Sequence, residues 1–161
     1  MSSYGPISSK QAGSNAEASV VDVHPEFQHV PDTEVEHADV RVVELVEASP
    51  EIPIVGMCLL EVGTLVEIKS SIVRLSDGAR GRFYLRERQH RALVDDGGVY
   101  LFAVCEPRPE RPILALKAVP ATAVDEVVET WRDAGDGRPQ CSQISWGRVF
   151  YADEINGGSV E

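Results

Sequence analysis

The chain has 161 residues, 43% of them apolar, and a net charge of −11. That length and apolar share suit one domain with a real core, and no apolar run approaches the roughly 20 residues needed to cross a bilayer. The polar stretch 1–18 lacks the hydrophobic segment of a secretory signal, and Cys58, Cys105 and Cys141 are too widely spaced for a disulfide framework or a zinc knuckle. The expected setting is the cytoplasm.

Residues 1–30, rich in Ser, Gly, Ala and acids, read as a disordered tail. The single domain is expected over 31–150, and 151–161 should fray. Asp32-Thr33 with Glu36 has the form of a capping box and opens a helix through Val40, Val43 and Val46 to about residue 48. The run 40–46 reads alternatively as a strand. Pro50 closes this element, because the residue before a proline avoids the α region. Two strand-like runs, 52–62 and 65–72, flank Gly63-Thr64, which is a two-residue hairpin signal.

A loop over 76–81 precedes a short strand at 82–84. Helical spacing then joins Leu85, Gln89 and Leu93 and stops at Asp95-Asp96-Gly97-Gly98. The apolar run 99–105 reads as a strand buried on both faces. A proline-rich loop, a strand at 113–119, a helix at 124–134 and a final strand at 143–150 complete the domain. The 22 valines favour strands. The fold class is therefore α/β, a central mixed β-sheet flanked by helices.

Charge is unevenly spread. From Lys69 to Arg91 there are seven basic and two acidic residues, about +5, which leaves about −16 for the rest of the chain. Basic residues comprise 12 Arg and only 3 Lys, and acidic excess with scarce lysine resembles the proteomes of salt-in halophiles. Such a chain repels nucleic acid except at a local basic surface.

The pattern with chemical content is Pro50-Glu51, fifteen residues, then Glu67-Ile68-Lys69. Residues two apart on a strand share a face, so Glu67 and Lys69 project together while Ile68 enters the core. A carboxylate beside an ammonium offers a hard-cation ligand and a donor to a phosphate oxygen; with a second carboxylate the set suits Mg²⁺. Glutamate and lysine so spaced are also common surface neighbours, worth at most about 1 kcal/mol.

This arrangement resembles the PD-(D/E)xK nuclease superfamily, which includes restriction endonucleases, Holliday-junction resolvases and RecB-type exonucleases. Glu67-x-Lys69 matches its second motif, and Pro50-Glu51 falls where its first acidic motif belongs, with Glu in place of the usual Asp. Glu61 is the other candidate for the first acid, although a two-residue turn would set it opposite Val66, on the wrong face. The resemblance implies an acid on the preceding helix, for which Glu44 is favoured over Glu47, and a RecB-like glutamine after the lysine strand, matched by Gln89. The stretches 82–85 and 100–104 also look like NO VEIN C-terminal nuclease domains, and the likeness spans about residues 33–119.

The resemblance implies a restriction-endonuclease-like fold and an Mg²⁺- or Mn²⁺-dependent endonuclease or resolvase-like hydrolase, in a haloarchaeal member. Metal would be held by Glu51, Glu67 and Glu44, with Lys69 and Gln89 assisting. Arg80, Arg82, Arg86, Arg88 and Arg91 are the candidate nucleic-acid surface, with DNA the expected partner. Many relatives act as dimers, and a homodimer is compatible with that. The alternative is a catalytically inactive nuclease fold that binds nucleic acid or protein. His24, His29 and His37 lack metal spacing, His90 is expected on an exposed helix face, and Trp131 and Trp146 are expected in the core.

Overall fold

A computed structural model of the protein describes residues 27–30, 40–42, 54–55 and 62–155 apart from 111, 134, 136 and 139, together with Ala18 and Asp22. Within these residues the elements are β1 (Phe27–His29), β2 (Val40–Val42), β3 (Ile54–Val55), β4 (Leu65–Ile72), β5 (Arg82–Arg86), α1 (Glu87–Asp95), β6 (Val99–Cys105), β7 (Ile113–Pro120), α2 (Ala121–Val127) and β8 (Cys141–Ser145). Two short 3₁₀ turns follow, at Trp146–Arg148 and Ala152–Glu154.

Six strands make one mixed sheet in the order β1-β2-β4-β6-β7-β3, while β5 and β8 form a separate antiparallel ladder. The centre is the parallel pair β4–β6, joined by a crossover that contains β5 and α1. β6 is buried along its whole length, as its unbroken apolar run leads one to expect. On one face, Tyr100, Phe102 and Val104 join Phe83, Leu85, Leu93, Ile144 and Trp146 in a single core cluster. Phe83 of β5 meets Phe102 of β6 with ring centroids 4.5 Å apart, which seats the two-stranded ladder on that face. The Trp146 indole N–H donates to the Val73 carbonyl at 2.8 Å, so the largest core side chain is buried with its polar atom satisfied.

α1 ends where expected. The Asp96 and Gly97 amides return to the Ala92 and Val94 carbonyls, and Gly97 takes φ +67°, a conformation that other residues adopt at a cost. Gly81 is required for a different reason. A Cβ there would lie 2.0 Å from the Ile72 carbonyl oxygen, so only glycine lets the return chain pass against β4.

The α/β class and the mixed sheet with flanking helices agree with the sequence-based reading, but several elements differ. Val40–Val42 is a strand, not part of a helix, because pairing with β4 and β1 outweighs a local capping pattern. Of the run 52–62, expected to form a hairpin with β4 across Gly63-Thr64, the described residues do not pair with β4. Ile54–Val55 pairs in parallel with Leu116–Lys117 of β7, and β4 takes β2 and β6 as neighbours. Leu85 belongs to β5, and α2 stops at Val128, which is extended, so Trp131 is not helical. The last strand begins at Cys141 and ends at Ser145. Phe27–His29 forms a sheet edge within the expected tail. At the other end, Ile155 is fully buried and Tyr151 N–H donates to Glu154 at 2.6 Å, so the chain is held to that point.

Candidate active site

Strand register decides which side chains meet. In the β4–β6 ladder Glu67 lies beside Tyr100 and Lys69 beside Phe102, and across β7 Phe102 faces Lys117. Register partners share a face, so Glu67, Lys69, Tyr100, Phe102 and Lys117 all point toward the side covered by β5. Two of the three lysines of the chain therefore stand in one row, on either side of Phe102.

Glu67 is 6% exposed, and the Lys69 ammonium lies 3.2 Å from its Oε1. The expectation that these two project together holds, and the pair is far more enclosed than a surface neighbour would be. Enclosure changes its character: an ion pair in a medium of low effective dielectric polarises strongly any oxygen brought against it. Lys117 is committed elsewhere, to both carboxylate oxygens of Glu154 at 3.0 and 3.3 Å.

A second polar group adjoins this pair, and sequence reasoning missed it. His90, expected on an exposed face, is fully buried on α1. Its Nδ1 is 2.9 Å from the Tyr100 hydroxyl, and its Nε2 is 2.8 Å from Asp125 Oδ1 on α2. The carboxylate accepts, which assigns the ring proton to Nε2 and leaves Nδ1 to accept from Tyr100. The imidazole is stacked on Tyr100 with centroids 5.8 Å apart and lies against Trp131 at 5.4 Å. Burial, and then the negative charges of Glu67 and Asp125, push the Tyr100 hydroxyl well above the usual tyrosine range, so it stays protonated as a donor. A period-of-3.6 reading could have found His90, because it shares the inner face of α1 with buried Leu93.

The other expected site residues are placed as follows. Gln89, next to His90 on α1, is half-buried. Glu51 and Glu44, like Glu47 and Glu61, lie outside the described residues. Among the described residues no group of three His, Cys, Asp or Glu side chains stands close enough to hold a metal ion. Glu67 by itself supplies one hard oxygen donor group, which suits Mg²⁺ or Mn²⁺ once a second carboxylate joins it.

The arginines are divided. Arg82, Tyr84 and Arg86 occupy the exposed positions of β5, alternating with buried Phe83 and Leu85, so they point away from the face that bears Glu67. Arg80 is stacked on Trp146 at 4.5 Å from the ring centroid, and Arg91 is paired with Glu87 one helical turn earlier. Arg88 is exposed. No described helix is long and apolar enough to cross a membrane.

A family model for the PD-(D/E)XK nuclease superfamily domain matches residues 3–151. No curated protein and no solved structure matches the chain.

Proposed function

The chain belongs to the PD-(D/E)XK nuclease superfamily, and from that premise we propose that it is a divalent-metal-dependent nuclease hydrolysing phosphodiester bonds, with Glu67 and Lys69 at its reacting centre. The observation that carries this reading is the enclosed Glu67–Lys69 pair, 3.2 Å apart on one sheet face, on the motif that names the family. Glu67 is assigned to hold the metal. When bound, Mg²⁺ or Mn²⁺ supplies charge neutralisation at the scissile phosphate and a more acidic water. Lys69 directs its ammonium protons to a phosphate oxygen or to the attacking oxygen, an interaction that strengthens as negative charge builds up. Gln89 orients the same water through its amide, and the Asp125–His90–Tyr100 chain fixes α1, which carries Gln89, against the strand next to Glu67.

The second carboxylate is assigned to the segment before β4, where two residues compete. Glu51 has the family spacing, with Glu44 as the further acid. Asp39 directly precedes Val40, and Val40 is paired with Val66, the residue before Glu67. DNA is the substrate we favour, in repair, recombination or defence, and a homodimer would suit cleavage of two strands.

The test is incubation of plasmid and branched DNA with the protein in high KCl, with Mg²⁺, Mn²⁺ or a chelator. Metal-dependent cleavage that is lost in Lys69→Ala, and in whichever of Glu51→Gln and Asp39→Asn removes the second ligand, is the expected result. One observation favours a second reading, a nuclease fold that binds without cutting: Glu67 is nearly closed off and already neutralised by Lys69. DNA binding without cleavage that survives both chelation and Lys69→Ala would establish it instead.

A further inference from the structure

The β5–β8 ladder carries a concavity on its outer side that does not include Glu67 or Lys69. Its volume is about 220 Å³, and its walls include Arg82, Glu129, Arg132, Cys141, Gln143 and Arg148. Three elements bring these residues together. Arg82 opens β5 on the exposed face, opposite Ser145. Arg132 is pinned to β8 by paired backbone hydrogen bonds with Cys141, both 2.8 Å. Arg148 closes the 3₁₀ turn after β8 and is bonded to Glu129.

The charge of this concavity is out of keeping with the chain. Three arginines face one carboxylate in a protein of net charge −11. Arg148 uses the carboxylate, and the side chains of Arg82 and Arg132 form no ion pair with any described residue. Two guanidinium groups that share no carboxylate among the described residues repel one another and gain most from a shared anion with several oxygens, which is the geometry of a phosphate. The volume is below the roughly 300–1,000 Å³ of pockets for drug-sized ligands, and so fits a phosphate with little more than its sugar. Beside it on the same face stands Tyr84, 39% exposed, paired in register with Gln143 of the pocket wall. A base attached to a phosphate held here would have an aromatic surface within reach.

We propose that this pocket is a phosphate-binding exosite for a single-stranded segment of the nucleic-acid substrate, with Arg82, Arg132 and Arg148 on the phosphate and Tyr84 under a base. The proposal rests on the nuclease reading for its choice of ligand but not on the Glu67–Lys69 centre. Because Arg82 lies on the outer face of a two-stranded ladder whose inner face packs on the sheet, and Arg132 and Arg148 flank β8 at the same pocket, the exosite holds the strand at a distance from the reacting centre. It raises the local concentration of substrate and takes no part in bond breaking. Glu129 acts against it by competing for Arg148.

The test is fluorescence anisotropy with a labelled 20-nucleotide single-stranded DNA across a KCl series, using the full chain. Arg132→Ala/Arg148→Ala should weaken binding at least about tenfold and lower the slope of log affinity against log salt by about 1. Tyr84→Ala should weaken binding about tenfold with the slope unchanged, and Glu129→Gln should tighten it. Wild-type binding that the double variant leaves unchanged in affinity and slope would overturn the exosite, and continued wild-type cleavage would leave the nuclease reading standing. Absence of both binding and cleavage in the wild type would overturn both. Calorimetric titration with inorganic phosphate separates the sources. Phosphate binding abolished by the double variant while oligonucleotide affinity stays the same would mean a site for free phosphate, and would also overturn the proposal.

Discussion

Two strands of this molecule carry the same kind of pattern and use it in opposite ways. In β4, Glu67-Ile68-Lys69 sets its charged residues toward the covered side of the sheet; in β5, Arg82-Phe83-Tyr84-Leu85-Arg86 sets its charged residues outward. The difference comes from what lies next to each strand. β4 is central, with β2 and β6 as neighbours and the β5–β8 ladder over one face, so its charges are desolvated and must satisfy each other. β5 has one strand partner and one covered face, so its arginines remain in water and act through a field that salt screens. Charge of the first kind suits chemistry at a fixed point, and charge of the second kind suits attraction of a polyanion.

The largest effect should come from the enclosed pair. Removing the ammonium in Lys69→Ala, or the charge in Glu67→Gln, should lower the cleavage rate by about 10²–10⁴-fold, measured with enzyme in excess over substrate. Losses of this size that also appeared in Arg82→Ala/Arg86→Ala under the same conditions would erase the distinction between the two strands.

Stability should follow the same division. Tyr100→Phe leaves His90 Nδ1 buried without its donor and should cost about 1–3 kcal/mol, a fall of several degrees in the thermal midpoint. Arg82→Ala and Arg86→Ala should each stay within about 0.5 kcal/mol of wild type, because both are exposed. In binding, that arginine pair should weaken DNA affinity several-fold near 0.1 M KCl, and less at molar salt as screening grows.

The smallest effect concerns pH. The folded protein holds the Tyr100 proton more tightly than the unfolded chain does, so Tyr100 favours the native state at neutral pH, and that advantage declines once pH rises past about 10. Wild type should therefore lose stability above that point more steeply than Tyr100→Phe, by at most about 1.4 kcal/mol per pH unit, readable from denaturant midpoints. Parallel decline in the two proteins would remove the argument for a strongly held proton beside Glu67.

How far the sequence discloses this molecule depends on the range of the forces involved. Period-two alternation placed Glu67 and Lys69 on one face, and the unbroken apolar run placed 99–105 in the sheet centre, because both are local features of the chain. The pairing of β3 with β7 and of β2 with β4 was not legible, since partners 24 to 62 residues apart are chosen by the packing of the whole sheet and not by a Gly-Thr turn. The same limit hid the His90–Tyr100–Asp125 chain, whose partners lie 10 and 35 residues from His90. His90 read as a surface residue because it is polar, although its spacing of three from Leu93 sets it on the inner face of α1; the tyrosine and the aspartate that bond it there are what the local sequence does not disclose. The basic segment was visible in the composition, but its division into outward Arg82 and Arg86, stacked Arg80 and paired Arg91 required the β5–β8 ladder.

The most direct test of the central claim is the single-turnover cleavage rate of Lys69→Ala and Lys69→Arg against wild type, in saturating Mn²⁺ and with substrate fully bound. If Lys69 acts on the reacting phosphate, both variants bind DNA as wild type does and fold normally. Lys69→Ala then cuts at least about a hundredfold more slowly, and Lys69→Arg, which keeps the charge, recovers part of the loss. Equal rates in all three proteins would show that the enclosed pair is only a structural feature of the sheet, and that any cleavage originates elsewhere in the chain.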